Sequence, residues 1–145
     1  MNLEDCFLKG LLLKIRPDRE KSKKSIATAE HKLSLSKKEF DAKIYEGSII
    51  NSYASMFHSA RAILFRDGIK ERSHYGIYIY LKEKHSGELG DYLLNEFSAL
   101  RLQRHEALYG FSEDRASITK DEAESILSAA ESFLEKSKHI LKSNS

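Results

Sequence analysis

Apolar residues recur at helical spacing along most of this chain. Leu3, Phe7, Leu8, Leu11, Leu12 and Ile15 fall on one face and predict a short amphipathic first helix over 3–15. Pro17 suits a first helical turn and not a helix interior, so the chain breaks near Arg16 and restarts there. The restart, 18–37, carries a thinner stripe of Ile26, Ala29 and Leu33. A long third helix over 41–66 presents Ile49, Ile50, Tyr53, Phe57, Leu64 and Phe65, a face wide enough for burial on more than one side. Asp67-Gly68 is its stop signal. Tyr75 to Leu81 alternates as a strand does, but a lone strand has no pairing partner, so a helix is expected there. Beyond the break at Ser86-Gly87-Glu88, Leu89, Leu93, Phe97, Leu100 and Arg104 carry a helix to Tyr109-Gly110. After a polar loop, 110–118, Thr119 to Glu122 has capping-box spacing and opens a last helix with Ile126, Leu127, Ala130, Phe133, Leu134 and Ile140 on one face. The pattern predicts an all-α, antiparallel up-and-down bundle of about five to six helices.

Composition narrows the class. A chain of 145 residues suits one domain, and its single proline and seven glycines leave little strand punctuation. No apolar run approaches the roughly 20 residues that span a bilayer. Acid at Glu4-Asp5 stands where a signal peptide would be basic, and the lone Cys6 excludes an intrachain disulfide. A soluble, cytoplasmic domain is expected. The net charge of +2 hides an asymmetry, because residues 1–43 hold 11 Lys/Arg against 7 Asp/Glu while the remainder is net acidic. The basic run Arg16 to Lys24 is either a solvated helix face or a phosphate contact.

Two arginine-bearing helices hold the candidate chemistry. Arg61 sits four residues after Phe57 and four before Phe65, where a guanidinium needs an acidic or phosphate partner. Arg101 and Arg104 repeat the pattern on a later helix. No two histidines lie three or four residues apart on one helix, as metal ligands would, and no Gly-rich phosphate loop or Ser/Cys nucleophile signature appears. No metal or cofactor is expected.

The stretch Tyr53-Ala54-Ser55-Met56-Phe57-His58-Ser59-Ala60-Arg61 resembles a helix of the HEPN domains (higher eukaryote and prokaryote nucleotide-binding). Gly68-Ile69, then Ser73-His74-Tyr75-Gly76, match the motif that follows it. Leu100, Arg101, Arg104, Ala107, Tyr109 and Gly110 match a third block, and 119–142 a closing acidic helix. The resemblance covers 17–143, leaving 1–16 as an N-terminal helical extension. It implies a bundle of four or five helices, usually a homodimer, acting in toxin–antitoxin or defence modules. Some members cut RNA without a metal; others stand beside a small nucleotidyltransferase that serves as antitoxin. The RNA-cutting members carry Arg, four to six residues, then His, with the pairs of two protomers facing one another.

At that point this chain departs from the pattern. Counting from Arg104, Tyr109 stands where the histidine would, and Arg101 to His105 is one residue short of the minimum spacing. If the chain is an enzyme it is a metal-independent endoribonuclease with an incomplete motif. Such cleavage needs a base, a cation for the phosphorane and an acid. The catalytic candidates are Arg104, His58 and Tyr109, and the nucleotide- or RNA-binding candidates are Arg101, Arg61, His74 and His105. Four of them have a plainer reading as well. Arg104 would pair with Glu96, Glu46 or an acid of the last helix; Arg61 would pack its stem; His58 would fill the stripe edge; His74 would belong to a helix start. Three functions stay open: a toxin-type protein acting on RNA, a catalytically silent nucleotide-binding partner of a nucleotidyltransferase, and a helical interaction module.

Overall fold

A computed structural model describes the backbone of residues 1–109 and 118–143, with the side chains of 103–109 outside that description. The order is α1 (Leu3–Leu8), β1 (Leu12–Lys14), α2 (Arg19–Asp41), α3 (Tyr45–Asp67), β2 (Ile69–Glu71), α4 (His74–Lys84), α5 (Ser86–Leu89), α6 (Asp91–Tyr109) and α7 (Lys120–Lys142). The expected all-α bundle is present. Its helical segments number seven among the described residues because α1 and α5 are short.

Local chemistry accounts for most of the boundaries. Asp18, just after Pro17, caps α2 by accepting a hydrogen bond from the Lys21 amide at 2.9 Å. Gly68 ends α3 at φ 81, a left-handed conformation, and a Cβ there would lie 2.8 Å from the Ile15 carbonyl oxygen. The Ser73 hydroxyl accepts from the Tyr75 and Gly76 amides and starts α4, so the strand-like alternation of 75–81 folds as helix. Thr119 accepts from the Glu122 amide at 3.1 Å and opens α7.

The first helix is a correction. Instead of running over 3–15 it ends at Leu8, Gly10 turns the chain at φ 73, and Leu12–Lys14 pairs antiparallel with Ile69–Glu71. The physical reason is a distant partner: Leu12 is almost wholly buried, and Leu11 and Ile15 extend the pairing to Arg72 and Gly68. The side chain of Leu12 packs over Gly76 of α4, where an added Cβ would stand 3.1 Å from it. Helical periodicity in a run of leucines carries no information about such a partner.

Helix α3 is the centre of the molecule, packed against α2 on one side and α7 on another. Its contact with α2 is built from buried serines. Ser22 donates to the Ala62 carbonyl at 2.7 Å and Ser55 to the Ala29 carbonyl at 2.8 Å. Ser36 meets the Ser48 carbonyl and the Ser52 hydroxyl, each at 2.7 Å. Small side chains let the backbones approach, and each hydroxyl finds an acceptor, so polar residues serve as core. The larger core side chains are Tyr53, Phe97 and Phe133, with Ile63, Leu64, Ile77, Leu81 and Leu94 around them.

Candidate functional site

Three helices bring the described candidates together. On α3, Tyr53, Phe57, Arg61 and Phe65 form one stripe at four-residue spacing. His74, the first residue of α4, lies with its ring centroid 4.3 Å from that of Phe57, and its Nδ1 is 3.0 Å from the Tyr53 hydroxyl. Tyr53 stacks on Phe97 of α6 at 5.7 Å, and Phe97 meets Phe133 of α7 at 5.4 Å. A column of rings therefore runs from the buried core out to the half-buried Phe57 and His74.

Cations border this column. The Arg61 guanidinium lies over Phe57 at 5.6 Å and Phe65 at 5.4 Å, with Nε 2.7 Å from the Glu71 carboxylate. The acidic partner that its position requires is thus Glu71 of β2. Arg101 lies over Tyr75 at 5.5 Å, next along the chain from His74, and its buried Nε has no hydrogen-bond partner among the described residues. His58 meets Phe57 edge-on at 5.3 Å. Burial, then the charges of Arg61 and Lys32, hold its imidazole pKa below the ordinary value and favour the neutral ring.

Of the seven candidates, His74 and Arg101 thus meet at the start of α4, and Phe57 joins His74 to Arg61 and His58 on α3. The helical backbone of α6 also carries Arg104, His105 and Tyr109. The side chains of these three, and the contacts sequence reading assigned to them, lie outside the described residues. Tyr75 and Glu71 were not candidates, because their roles come from elements that meet only in the fold.

A second polar cluster also escaped the sequence reading. Asp67, at the end of α3, accepts from Tyr80 at 2.8 Å and from Arg66 at 2.9 Å, and pairs with His85 at 2.7 Å. His85 also reaches Glu88 at 3.0 Å, and Arg66 donates to the Ile140 carbonyl of α7. Only the His85/Glu88 spacing hinted at it. These contacts tie α3, α4, α5 and α7 together. Among the described residues no group of His, Cys, Asp or Glu is arranged to hold a metal ion, and no helix is long and apolar enough to cross a membrane.

The profile of the HEPN domain matches residues 22–140. The chain belongs to the HEPN domain family. It is similar to a UPF0332 protein of Archaeoglobus fulgidus, 32% identical over 120 residues, covering 82% of this chain and 94% of that one. It is also similar to a protein of Methanocaldococcus jannaschii named as a candidate toxin, 29% identical over 130 residues, covering 86% of this chain and 91% of the relative. In this HEPN chain, two of the three motif blocks meet where His74 lies against Phe57. The motif glycines Gly68 and Gly76 stand where backbone or side chains of residues 11–17 come close.

Proposed function

We propose that this HEPN protein is of the toxin type and binds RNA or a nucleotide, as a homodimer, in a cleft that the two protomers form at the start of α4. The observation that carries the reading is Arg101, a guanidinium over Tyr75 whose buried Nε has no hydrogen-bond partner among the described residues. Such a fork beside half-buried rings suits a phosphate with a base against an aromatic face. The name of the Methanocaldococcus jannaschii relative supports the toxin reading. A dimer would bring equivalent arginines of two protomers toward one cleft.

A second reading is favoured by one residue. Tyr109 stands where RNA-cutting members carry histidine, and a phenol with a pKa near 10 shuttles protons poorly at neutral pH. That favours a catalytically silent partner of a small nucleotidyltransferase, with phosphate binding retained. Residues 1–16 then contribute β1, which pairs with β2 and sets Leu12 against Gly76 of α4.

The test is binding of a fluorescent uridine tetramer by wild type and Arg101→Ala, with thermal melting beside it. The expected result is loss of binding with the melting temperature within a few degrees. Undiminished binding by Arg101→Ala would overturn the cleft assignment. Light scattering that finds only monomer at high micromolar concentration would overturn the dimer.

A further inference from the structure

The border between α2 and α3 holds cations that the cleft does not use. The two helices run antiparallel, as the Ser22–Ala62 and Ser55–Ala29 hydrogen bonds fix. Lys21 and Lys32 are eleven residues apart on α2, about three turns and ~16 Å, and so return to nearly the same face. The Lys21 ammonium lies 5.8 Å from the centre of Phe65, the ring that Arg61 covers from 5.4 Å. Farther along, His58 is close enough to both Arg61 and Lys32 for their charges to act on its imidazole. Lys21, Arg61, His58 and Lys32 therefore line the α2–α3 border, with Phe65 beneath Lys21 and Arg61 and Phe57 beneath Arg61.

Little on the protein neutralises this strip. Glu71 engages Arg61 at 2.7 Å, while neither Lys21 nor Lys32 forms an ion pair among the described residues. Lys21 is exposed and Lys32 half-buried, so both are open to a partner. Like charges held side by side favour a polyanion that replaces their separate counterions. Phe57 makes the strip continuous with the cleft, because the same ring touches His74 and lies beneath Arg61.

We propose that this strip is a second RNA surface, along which Lys21 and Lys32 hold the phosphates of a single strand leaving the α4–α6 cleft. The proposal rests on the cleft binding RNA and adds where the strand goes: past Arg101 and His74, over Phe57, onto the α2–α3 border that Lys21 and Lys32 flank. Lysine suits such a track, since a flexible point charge follows a backbone without fixing sequence.

The experiment measures binding of fluorescent uridine 4-mers and 12-mers across a salt series, with wild type, Lys21→Ala/Lys32→Ala and Arg101→Ala. The tetramer reaches the cleft alone; the 12-mer reaches both surfaces. Expected for the double variant is unchanged tetramer affinity, weaker 12-mer affinity, and a log–log salt slope shallower by about 1.4, at ~0.7 per lost single-strand phosphate contact. An unchanged 12-mer slope in the double variant, with binding still lost in Arg101→Ala, overturns the strip and leaves the cleft standing. A shallower slope with Arg101→Ala binding normally overturns the cleft and keeps the strip. A wild type that binds neither oligomer overturns both.

Discussion

His85 Nε2 and Asp67 Oδ2 lie 2.7 Å apart where α3 ends and α5 begins, and the other ring nitrogen, Nδ1, lies 3.0 Å from Glu88. A carboxylate at each nitrogen favours the imidazolium form of the ring. Burial alone would lower its pKa, but the hydrogen bonds to Asp67 and Glu88 outweigh that and raise it above 6.5. Burial alone would likewise raise the Asp67 pKa, yet the bonds from His85, Tyr80 and Arg66 bring it below 3.8.

Stability should follow these two shifts in opposite directions. The His85 contribution is complete below its unfolded pKa near 6.5 and is lost as pH rises through the higher folded value. The Asp67 contribution is present above 3.8 and is lost as pH falls through the lower folded value. Melting temperature should therefore be greatest between these limits and decline on the alkaline side. The decline should vanish in His85→Gln, which would also melt lower at pH 6. A profile in His85→Gln that parallels wild type above pH 6.5 would remove His85 as its cause.

The serine seam between α2 and α3 makes a second prediction. Ser36→Ala deletes the group that joins the Ser48 carbonyl to the Ser52 hydroxyl, inside a contact with no exposed surface. Leaving these partners buried without it should cost ~1–3 kcal/mol in chemical denaturation. Ser52→Leu should cost as much or more, because the helices must separate to admit the side chain. Tolerance of leucine at position 52 would show that the seam is loosely packed.

The ring column should be graded in energy from inside to outside. Phe133 is fully buried, so Phe133→Ala should cost ~3–5 kcal/mol. Sequence reading places Phe57 in the core, but it is half-buried against His74 and Arg61. Phe57→Ala should therefore cost clearly less than Phe133→Ala while weakening RNA or nucleotide binding. Equal costs would return Phe57 to the core.

The helices were legible in the sequence because their signals are local: Pro17, Asp67-Gly68, Ser73 and Thr119 sit within a few residues of the boundaries they cause. The strand pair was not, because Leu12 and Glu71 are far apart in the chain and each segment is only three residues long. The serine seam was invisible for another reason. A search for apolar stripes discounts Ser22, Ser36 and Ser52, although each is buried and hydrogen-bonded. At the candidate site, Arg61, His74 and Arg101 could be picked out as residue types. Their partners Glu71, Phe57 and Tyr75 follow only from the way α3, β2, α4 and α6 meet.

The last prediction concerns Arg104 and catalysis. If Arg104 binds phosphate, Arg104→Ala should abolish RNA or nucleotide binding with little change in melting temperature. If it is instead half of a buried ion pair, the same change strands a carboxylate and costs ~3–5 kcal/mol, a loss of many degrees in a small domain. Arg104→Lys separates charge from shape, because lysine keeps the cation and loses the two-pronged fork. Any cleavage by wild type should persist in chelator and disappear in Arg104→Ala; chelator-sensitive cleavage would point to another mechanism or a contaminant. The expected cleavage at pH 7 is weak or nil, since a phenol, whose ordinary pKa is about 10, stands at position 109 in place of the missing base. Robust turnover at pH 7 would assign the proton transfer to His58, His74 or His105. Single glutamine substitutions at those positions would then show which one by the loss of the neutral limb of the pH–rate profile.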